Sequence, residues 1–580
     1  MNGDVFLRKF YEKPSSFREI VVGSHHNYGN KVFMRSINKD DSLKEITFSQ
    51  FYEDNINFGT GLFSLGLKEK RFAVISETRY EWVEAYLVAI MGGGIIVPLD
   101  KELNIEQIKS FIEFAEVDCI VFSSQYRNSI FSIAEQLTNV KFFIDMDDEE
   151  FDDLSTGRFI TYKKICSIGK QELEIGNNSY LYYENDHNAL AAIIFTSGTT
   201  GSSKGVMLSE NNVLASIHAA SNMVDFSYKD ELVSVLPLHH TYETCCGILT
   251  PLFMGITINI NNSLKYVMKN FKRFKPTGLV LVPLFATTMF KRINDELKKK
   301  NKEKLVNNIK KISNVTRKVK IDLRRVFFKE ILEAFGGRLE KMVVGGAPLD
   351  PELVDYFDEL GVSLAQGYGT TECAPLVAVN PYYAIKKNSV GIPALGSEVR
   401  IADYADDGST IYKNSGEIGE ILVKGPNVML GYYNQPEATA ESFNEDGFFK
   451  TGDIGYMDDE NYIYITGRKK NVIVLNNGKN VFPEEIEEYL QKLDFVVECV
   501  VLGNEGKDGE IVLTAYIFPD YNMFIGKTED EISSYIKSEV MKLNKSLPSF
   551  KQIRSIEIKK TEFEKTTTKK IIRYKLIEKE

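Results

Sequence analysis

The stretch that decides the reading is Ala191-Ala192-Ile193-Ile194-Phe195-Thr196-Ser197-Gly198-Thr199-Thr200-Gly201-Ser202-Ser203-Lys204-Gly205. Its first five residues form an apolar run of strand length. A loop of glycines and hydroxyl side chains follows, and a helical pattern begins near Ser209. Glycine lets a backbone turn tightly and present its N–H groups, the hydroxyls add donors, and Lys204 adds a positive charge. That inventory suits a polyphosphate. It is not the GxxxxGK[ST] loop, because Gly198 to Lys204 reads GTTGSSK and is followed by glycine. Taken alone, a Ser/Thr/Gly-rich loop is as readily a flexible connector.

Outward from this loop, short β-rich runs recur: Arg71–Ile75, Cys119–Phe122, Lys141–Ile144, Leu232–Leu236, Leu279–Val282 and Lys341–Val344. Helical stretches such as Glu81–Ile90 and Asn211–Met223 separate several of them. Buried strands alternating with helices imply layered, mainly parallel sheets in an α/β fold. From Val399 to Tyr464 the texture changes to strand-length runs with turn signals at Asp407-Gly408 and Asp446-Gly447, which predicts a β-rich subdomain with antiparallel strands. A third texture begins near Lys470. Strands at Ile473–Leu475, Val496–Leu502, Ile511–Phe518 and Ile553–Ile558, with helices at Pro483–Leu490 and Glu529–Asn544, predict a small α+β domain. The expected boundary lies at Arg468–Lys470, giving domains 1–468 and 469–580.

The 580 residues carry a formal charge of −11, with 43% hydrophobic and 26% charged side chains. The chain is too apolar to be disordered, and it lacks the cation excess of a nucleic-acid coat, so no nucleic-acid partner is expected. Six cysteines without a CxxC pair fit neither a disulfide framework nor a structural zinc site, and read as reduced thiols in a cytoplasmic protein. The opening MNGDVFLRKFYEK has no apolar core of signal-peptide length. The runs Tyr86–Leu99 and Cys245–Ile260 are too short and too broken by Gly and Pro to span a bilayer. One segment departs from the acidic average. Lys291–Lys329 holds 15 Lys/Arg against 4 Asp/Glu, a balance of +11 that leaves −22 for the remainder. It is either a solvated helical face or a contact with an anionic membrane surface, which would place the protein peripherally on the inner face of a membrane.

The loop Thr196–Gly205 resembles the signature loop of the adenylate-forming superfamily, which holds acyl-CoA synthetases, luciferases and the adenylation domains of peptide synthetases. Further motifs follow in that family's order: Gly367-Tyr368-Gly369-Thr370-Thr371-Glu372, Gly416-Glu417-Ile418-Gly419-Glu420, Met429-Leu430-Gly431-Tyr432, Thr451-Gly452-Asp453, and Gly467-Arg468-Lys469-Lys470. Lys565-Thr566-Thr567-Thr568-Lys569-Lys570-Ile571-Ile572-Arg573 closes the series.

The resemblance implies activation of a carboxylic acid by ATP with Mg²⁺, giving an acyl-adenylate and pyrophosphate. Both reactants are anionic, so the site must screen charge and hold them in line. ATP would be bound by Thr196, Ser197, Gly198, Thr199, Thr200, Gly201 and Lys204, with Gly345, Gly346, Ala347, Gly367, Tyr368, Gly369 and Thr370 around it. Tyr368 would offer a flat face to adenine, and Thr196 and Thr371 hydroxyls near the α-phosphate. Glu372 would bind the metal as a hard oxygen ligand. Asp453 would accept from the ribose hydroxyls, with Arg468 beside it. Lys570 is the expected catalytic lysine, bridging carboxylate and α-phosphate. The usual Pro and Gly of the terminal motif are absent here, so Lys569 and Lys565 stay open. Lys470 falls at the hinge of a mobile C-terminal domain, and Gly478 at the thiol tunnel, where Asn477 replaces one glycine of the common pair.

Leu236-Pro237-Leu238-His239-His240-Thr241-Tyr242-Glu243 resembles the corresponding run of long-chain fatty acid–CoA ligases. His240 takes the position that gates the acyl site, and Gly346 lies beside both adenine and acyl group. Two adjacent histidines on a strand would point to opposite faces, which argues against a shared metal. Small side chains at Gly345 and Gly346 either leave room for a chain or serve a turn. The basic segment also resembles an insert of the long-chain branch. The expected partners are therefore a long-chain fatty acid, ATP and CoA. The alternatives are transfer to an acyl-carrier protein, or a medium-chain or aryl acid as substrate.

Overall fold

The computed structural model describes residues 10–38, 40–147, 157–196, 204–476, 479–506, 510–565, 571–573 and 576. The described residues fall into two compact units. The first takes in those up to 196, 204–399 and 423–443, and the second those of 400–422 and from 444 onward.

The first unit is built on two large sheets. One has nine strands in the order Ile392–Pro393, Leu376–Val379, Ser363–Gly369, Lys341–Val344, Gly278–Leu281, Glu231–Ser234, Thr257–Ile260, Val32–Ile37 and Leu43–Thr47. Its centre is parallel. The other has eight strands, with Arg71–Ile75 and Ile95–Pro98 parallel at its core and Leu190–Thr196 antiparallel to Lys204–Ser209. Helices cover the sheets because the central strands, such as Cys119–Phe122, Thr257–Ile260 and Gly278–Leu281, are buried on both faces, as their near-continuous apolar runs require. The helix Glu210–Met223 starts where Ser209 and Asn212 form a capping box.

Alternation along the strands separates two cores. Leu279, Leu281, Met342 and Val344 face a cluster that includes Val306 and Phe328 of the basic segment. Val280 and Val343, between them in sequence, face the opposite cluster with Val224, Phe226 and Leu376. The basic segment is thus helical: Pro283–Lys299 shares the core behind the sheet whose other side lines a cavity, and Glu303–Lys318 packs against Pro283–Lys299 and the helix Pro351–Glu359.

The second unit holds a five-stranded sheet, with Glu398–Tyr404 and Phe449–Met457 paired antiparallel to their neighbours, and a three-stranded sheet over the helices Pro483–Gln491 and Glu529–Asn544. The mixed α/β class expected from the sequence is the one observed, with parallel-rich sheets in the N-terminal region and a smaller C-terminal α+β part. No helix among the described residues is long and apolar enough to cross a membrane.

A buried ion pair ties the chain's end to this part. Arg573 donates to the Glu487 carboxylate and, at 3.3 Å, to the carbonyl of Val501; the Val501 N–H donates to Glu487 at 2.6 Å. Breaking such a pair strands a buried charge and costs about 3–5 kcal/mol, whereas an apolar pair of similar volume is often neutral. Glu487→Ala is therefore expected to lower the denaturant midpoint sharply. The double variant Glu487→Leu/Arg573→Met is expected to recover more than half of that loss; equal destabilisation of both variants would refute the pair as the cause.

Candidate functional site

Parallel strands deliver their following residues to one edge of a sheet, and in open α/β sheets that edge is where ligands bind. The family motifs sit there. Thr196 ends the strand Leu190–Thr196, Gly345 and Gly346 follow Lys341–Val344, and Gly367, Tyr368 and Gly369 end Ser363–Gly369. Thr196 pairs in register with Lys204, so these two residues close the ends of the glycine-rich loop. Ser197, Gly198, Thr199, Thr200 and Gly201 lie outside the described residues, as do Gly478, Lys569 and Lys570.

Glu372 follows the third of these strands in a short helical turn, Thr371–Cys373, beside Thr370, whose buried hydroxyl has no hydrogen-bond partner among the described residues. One carboxylate oxygen of Glu372 accepts from the Tyr432 hydroxyl at 2.9 Å. Burial and the neighbouring carboxylate push the Tyr432 hydroxyl above its ordinary pKa, so it stays a donor. The ammonium of Lys204 sits 4.4 Å from the Tyr432 ring centroid. The carbonyl of Glu372 accepts from the Met429 N–H at 2.8 Å. Sequence reading placed Lys204 and Glu372 but gave Tyr432 no role. Its signal is the Gly431-Tyr432 pair, which forms a two-residue edge strand on Lys204–Ser209.

Beside this cluster lies an apolar cavity enclosing about 710 Å³ of non-atom space, open mouth included. Ala220, Val224, Phe226 and Met254 line it, as do Gly345, Gly346, Gly367, Tyr368 and Gly369 near the strand ends. The two glycines that sequence left open have different reasons. Gly346 has φ +88°, which a turn needs; a Cβ on Gly345 would lie 3.3 Å from the Tyr242 ring, so its smallness keeps space. Gly369 admits no side chain, since a Cβ would meet the Pro375 carbonyl at 2.0 Å. Ala347 follows, exposed.

A third wall is the π-helix Tyr242–Leu249, a rare geometry that recurs at functional sites. Tyr242 and Cys246 face the cavity. Glu243 turns to the strand Glu231–Ser234, where the Ser234 hydroxyl donates to it; its second oxygen has no hydrogen-bond partner among the described residues. Burial pushes its pKa up to about 8. The two histidines before the helix correct the expectation of opposite faces. They lie in a turn rather than on a strand, and their ring centroids are 4.0 Å apart. His239 Nε2 is 3.4 Å from Asp100. His240 is not among the residues that line the cavity.

In the second unit Asp453 and Arg468 are paired across neighbouring strands, with Arg468 Nε 2.7 Å from Asp453 Oδ1. Asp453 is buried, so the ion pair orients a carboxylate that would otherwise be costly. Lys470 is exposed in the helical turn Lys469–Asn471 that follows, while Lys469 binds Glu420 at 2.8 Å. Lys565 is held by Glu498 and Glu562.

The model of the AMP-binding enzyme family matches residues 24–433, and that of its C-terminal domain residues 470–579. The chain belongs to the AMP-binding enzyme family. It is an adenylate-forming, acyl-activating ligase. A long-chain-fatty-acid–[acyl-carrier-protein] ligase of Arabidopsis thaliana is 27% identical, over 87% of this chain and 76% of the relative. The long-chain-fatty-acid–CoA ligase FadD15 of Mycobacterium bovis is 26% identical over 94% of both. The anthranilate CoA ligase AuaEII in complex with anthranoyl-AMP shares the fold, with a TM-score of 0.77 at 20% identity over 100% of this chain and 99% of that one.

The Glu243 carboxyl yields a pH prediction. Its folded-state pKa of about 8 exceeds the ordinary 4.5, so the native state holds the proton more tightly. Its contribution to stability is complete below pH 4.5 and is lost as pH rises to 8, by at most ~1.4 kcal/mol per pH unit. Glu243→Gln keeps an acceptor for Ser234 and cannot ionise. Its melting temperature relative to wild type is expected to rise between pH 5 and 8 and level off above 9; a pH-independent difference would contradict the buried neutral carboxyl.

Proposed function

We propose that this ligase joins a long-chain fatty acid to CoA through an acyl-adenylate. The observation that carries the reading is the apolar cavity behind Gly345, bounded by Cys246, Met254 and Ile256, which provides walls for a hydrocarbon and no charged group for a polar acid. The names of relatives support both a CoA and a carrier-protein acceptor.

The substrate carboxylate attacks the α-phosphorus of ATP, forming the C–O–P linkage as the bond to pyrophosphate breaks. Lys204 lends positive charge beside the phosphates, Thr196 and Thr371 offer hydroxyls there, and Tyr368 lies under the adenine. The Glu372 carboxylate is the hard oxygen donor that Mg²⁺ takes, and the Tyr432 bond fixes its aim, so these residues fit the metal. When bound, the metal would neutralise phosphate charge. Asp453 accepts the ribose hydroxyls, oriented by Arg468. Lys565 is committed to Glu498 and Glu562, and the register of the terminal motif favours Lys570 over its neighbour Lys569 as the adenylation lysine. We assign 469–580 as the mobile domain with Lys470 as hinge, which withdraws Lys570 and brings Gly478 to the thiol. The thiolate then attacks the acyl carbon and AMP leaves. The site of action is the cytoplasm.

Pyrophosphate release is expected to rise with chain length across carboxylic acids from C2 to C20, and product formation to require CoA; preference for carrier protein would move the reading to its alternative. Cys246→Trp should fill the cavity and shift the preferred acid to shorter chains by several carbons, with kcat for the shorter acid retained. An unchanged profile would separate the cavity from the acyl group. Lys570→Ala should slow ATP–pyrophosphate exchange by about 10²–10³-fold, the ~3–4 kcal/mol of one lost transition-state donor, while thioester formation from supplied acyl-adenylate persists. Exchange at the wild-type rate would sink that role.

A further inference from the structure

We infer that the outer face of the helix Glu303–Lys318 and the residue after it is a docking surface for an anionic lipid bilayer. The helix is amphipathic twice over. Its inner side is fixed to the protein: Val306 is buried, Ser313 is buried, Lys310 binds Glu359 at 2.7 Å and Arg317 binds Asp358 at 2.8 Å. Its outer side exposes large apolar side chains that the interior does not use. Leu305, Ile312, Val315 and Val319 are 55%, 55%, 62% and 65% exposed. Their spacings of seven, three and four residues put them on one stripe, opposite the buried one.

The charges divide in the same way. Lys304, Lys311 and Lys318 each precede one of those apolar residues, forming a second stripe a seventh of a heptad away, and all three are exposed. None of them takes part in an ion pair among the described residues. A solvated face has no reason to keep four branched or leucine side chains in water, since each exposed patch of that kind forgoes burial. An acidic protein partner would explain the lysines alone. Apolar side chains beside a lysine row fit the boundary between headgroups and acyl chains, where the apolar stripe sinks in and the lysines meet phosphate. Each basic residue near such a surface adds about 1 kcal/mol. Ile321 and Val326, which follow the helix in sequence, are 52% and 69% exposed.

The helix packs against the helices Pro283–Lys299 and Pro351–Glu359, and Val306 joins the core behind strands Gly278–Leu281 and Lys341–Val344, whose other side lines the cavity. A lipid surface bound there would lie on the side of the sheet opposite the cavity, beyond its covering helices. The inference itself needs no particular substrate.

The test is sedimentation of the full chain with vesicles of phosphatidylcholine alone or with 30% phosphatidylglycerol (~30%, to give a clear surface charge). Wild type should sediment with the anionic vesicles, and less as salt rises. Lys304→Ala/Lys311→Ala/Lys318→Ala should weaken binding about tenfold or more. Ile312→Ser/Val315→Ser should weaken it several-fold at unchanged charge. Melting curves and ATP–pyrophosphate exchange with a water-soluble acid should stay at wild-type values in both, since these residues are exposed and outside the site. Absence of wild-type binding, or variants that bind as wild type, would overturn the inference. Sensitivity to the lysines but not to Ile312 and Val315, together with capture of an acidic carrier protein, would assign the face to protein instead.

Discussion

The hydrogen bond from Tyr432 to Glu372 joins the two large sheets at the place where their loops converge. Glu372 follows a strand of the nine-stranded sheet, and Tyr432 is an edge residue of the eight-stranded one. The segment between residues 427 and 433 fastens this seam. Asn427 donates to the Leu376 carbonyl, Met429 to that of Glu372, Leu430 to that of Met207 and Tyr433 to that of Gly205. Asn212, at the start of the helix after the glycine-rich loop, donates to the carbonyls of Pro426 and Val428. A carboxylate proposed to hold a metal needs a fixed orientation, and here the backbone of two sheets supplies it for Glu372.

That seam explains why some features were legible and others were not. The strands Arg71–Ile75, Cys119–Phe122 and Lys341–Val344 and the helix Glu529–Asn544 have the bounds expected from sequence, because each is a clean run of its own period. The strand Lys204–Ser209 was hidden, since its first residues belong to the glycine-rich motif and only its pairing with Leu190–Thr196 makes it a strand. The π-helix Tyr242–Leu249 was equally invisible. Its apolar pattern is continuous, and nothing local distinguishes a wide turn from an ordinary helix. The same blindness misplaced His239 and His240, which were taken to extend the preceding strand.

At the site, motif order named the residues, while their coupling came only from the fold. Tyr432 and Glu372 are sixty residues apart, and no spacing rule links them. Asp453 and Arg468 sit opposite each other because a bulge after Ile454 sets the register of their strands. Glu243 shows the limit most clearly. In sequence it is an acid after a histidine pair; in the fold, burial beside Gly247 makes it a neutral carboxyl at neutral pH.

The net charge of −11 conceals how this protein handles anions. Among the described residues, five cations of the motifs are coupled to a nearby group: Lys204 to the Tyr432 ring, Arg468 to Asp453, Lys469 to Glu420, Lys565 to Glu498, Arg573 to Glu487. An ion pair fixes where the positive end points while cancelling its far field, and the neutral Tyr432 ring steers Lys204 without cancelling its charge, so an acidic body can still present cations locally. The lysines on the outer face of Glu303–Lys318 follow the opposite rule. They have no acidic partner among the described residues and stand in a row, so their field adds over the length of the helix. Paired cations hold their residues in place, whereas an uncoupled row suits attraction to an extended anionic surface. The two arrangements in one chain separate the chemistry of the site from the attachment of the protein.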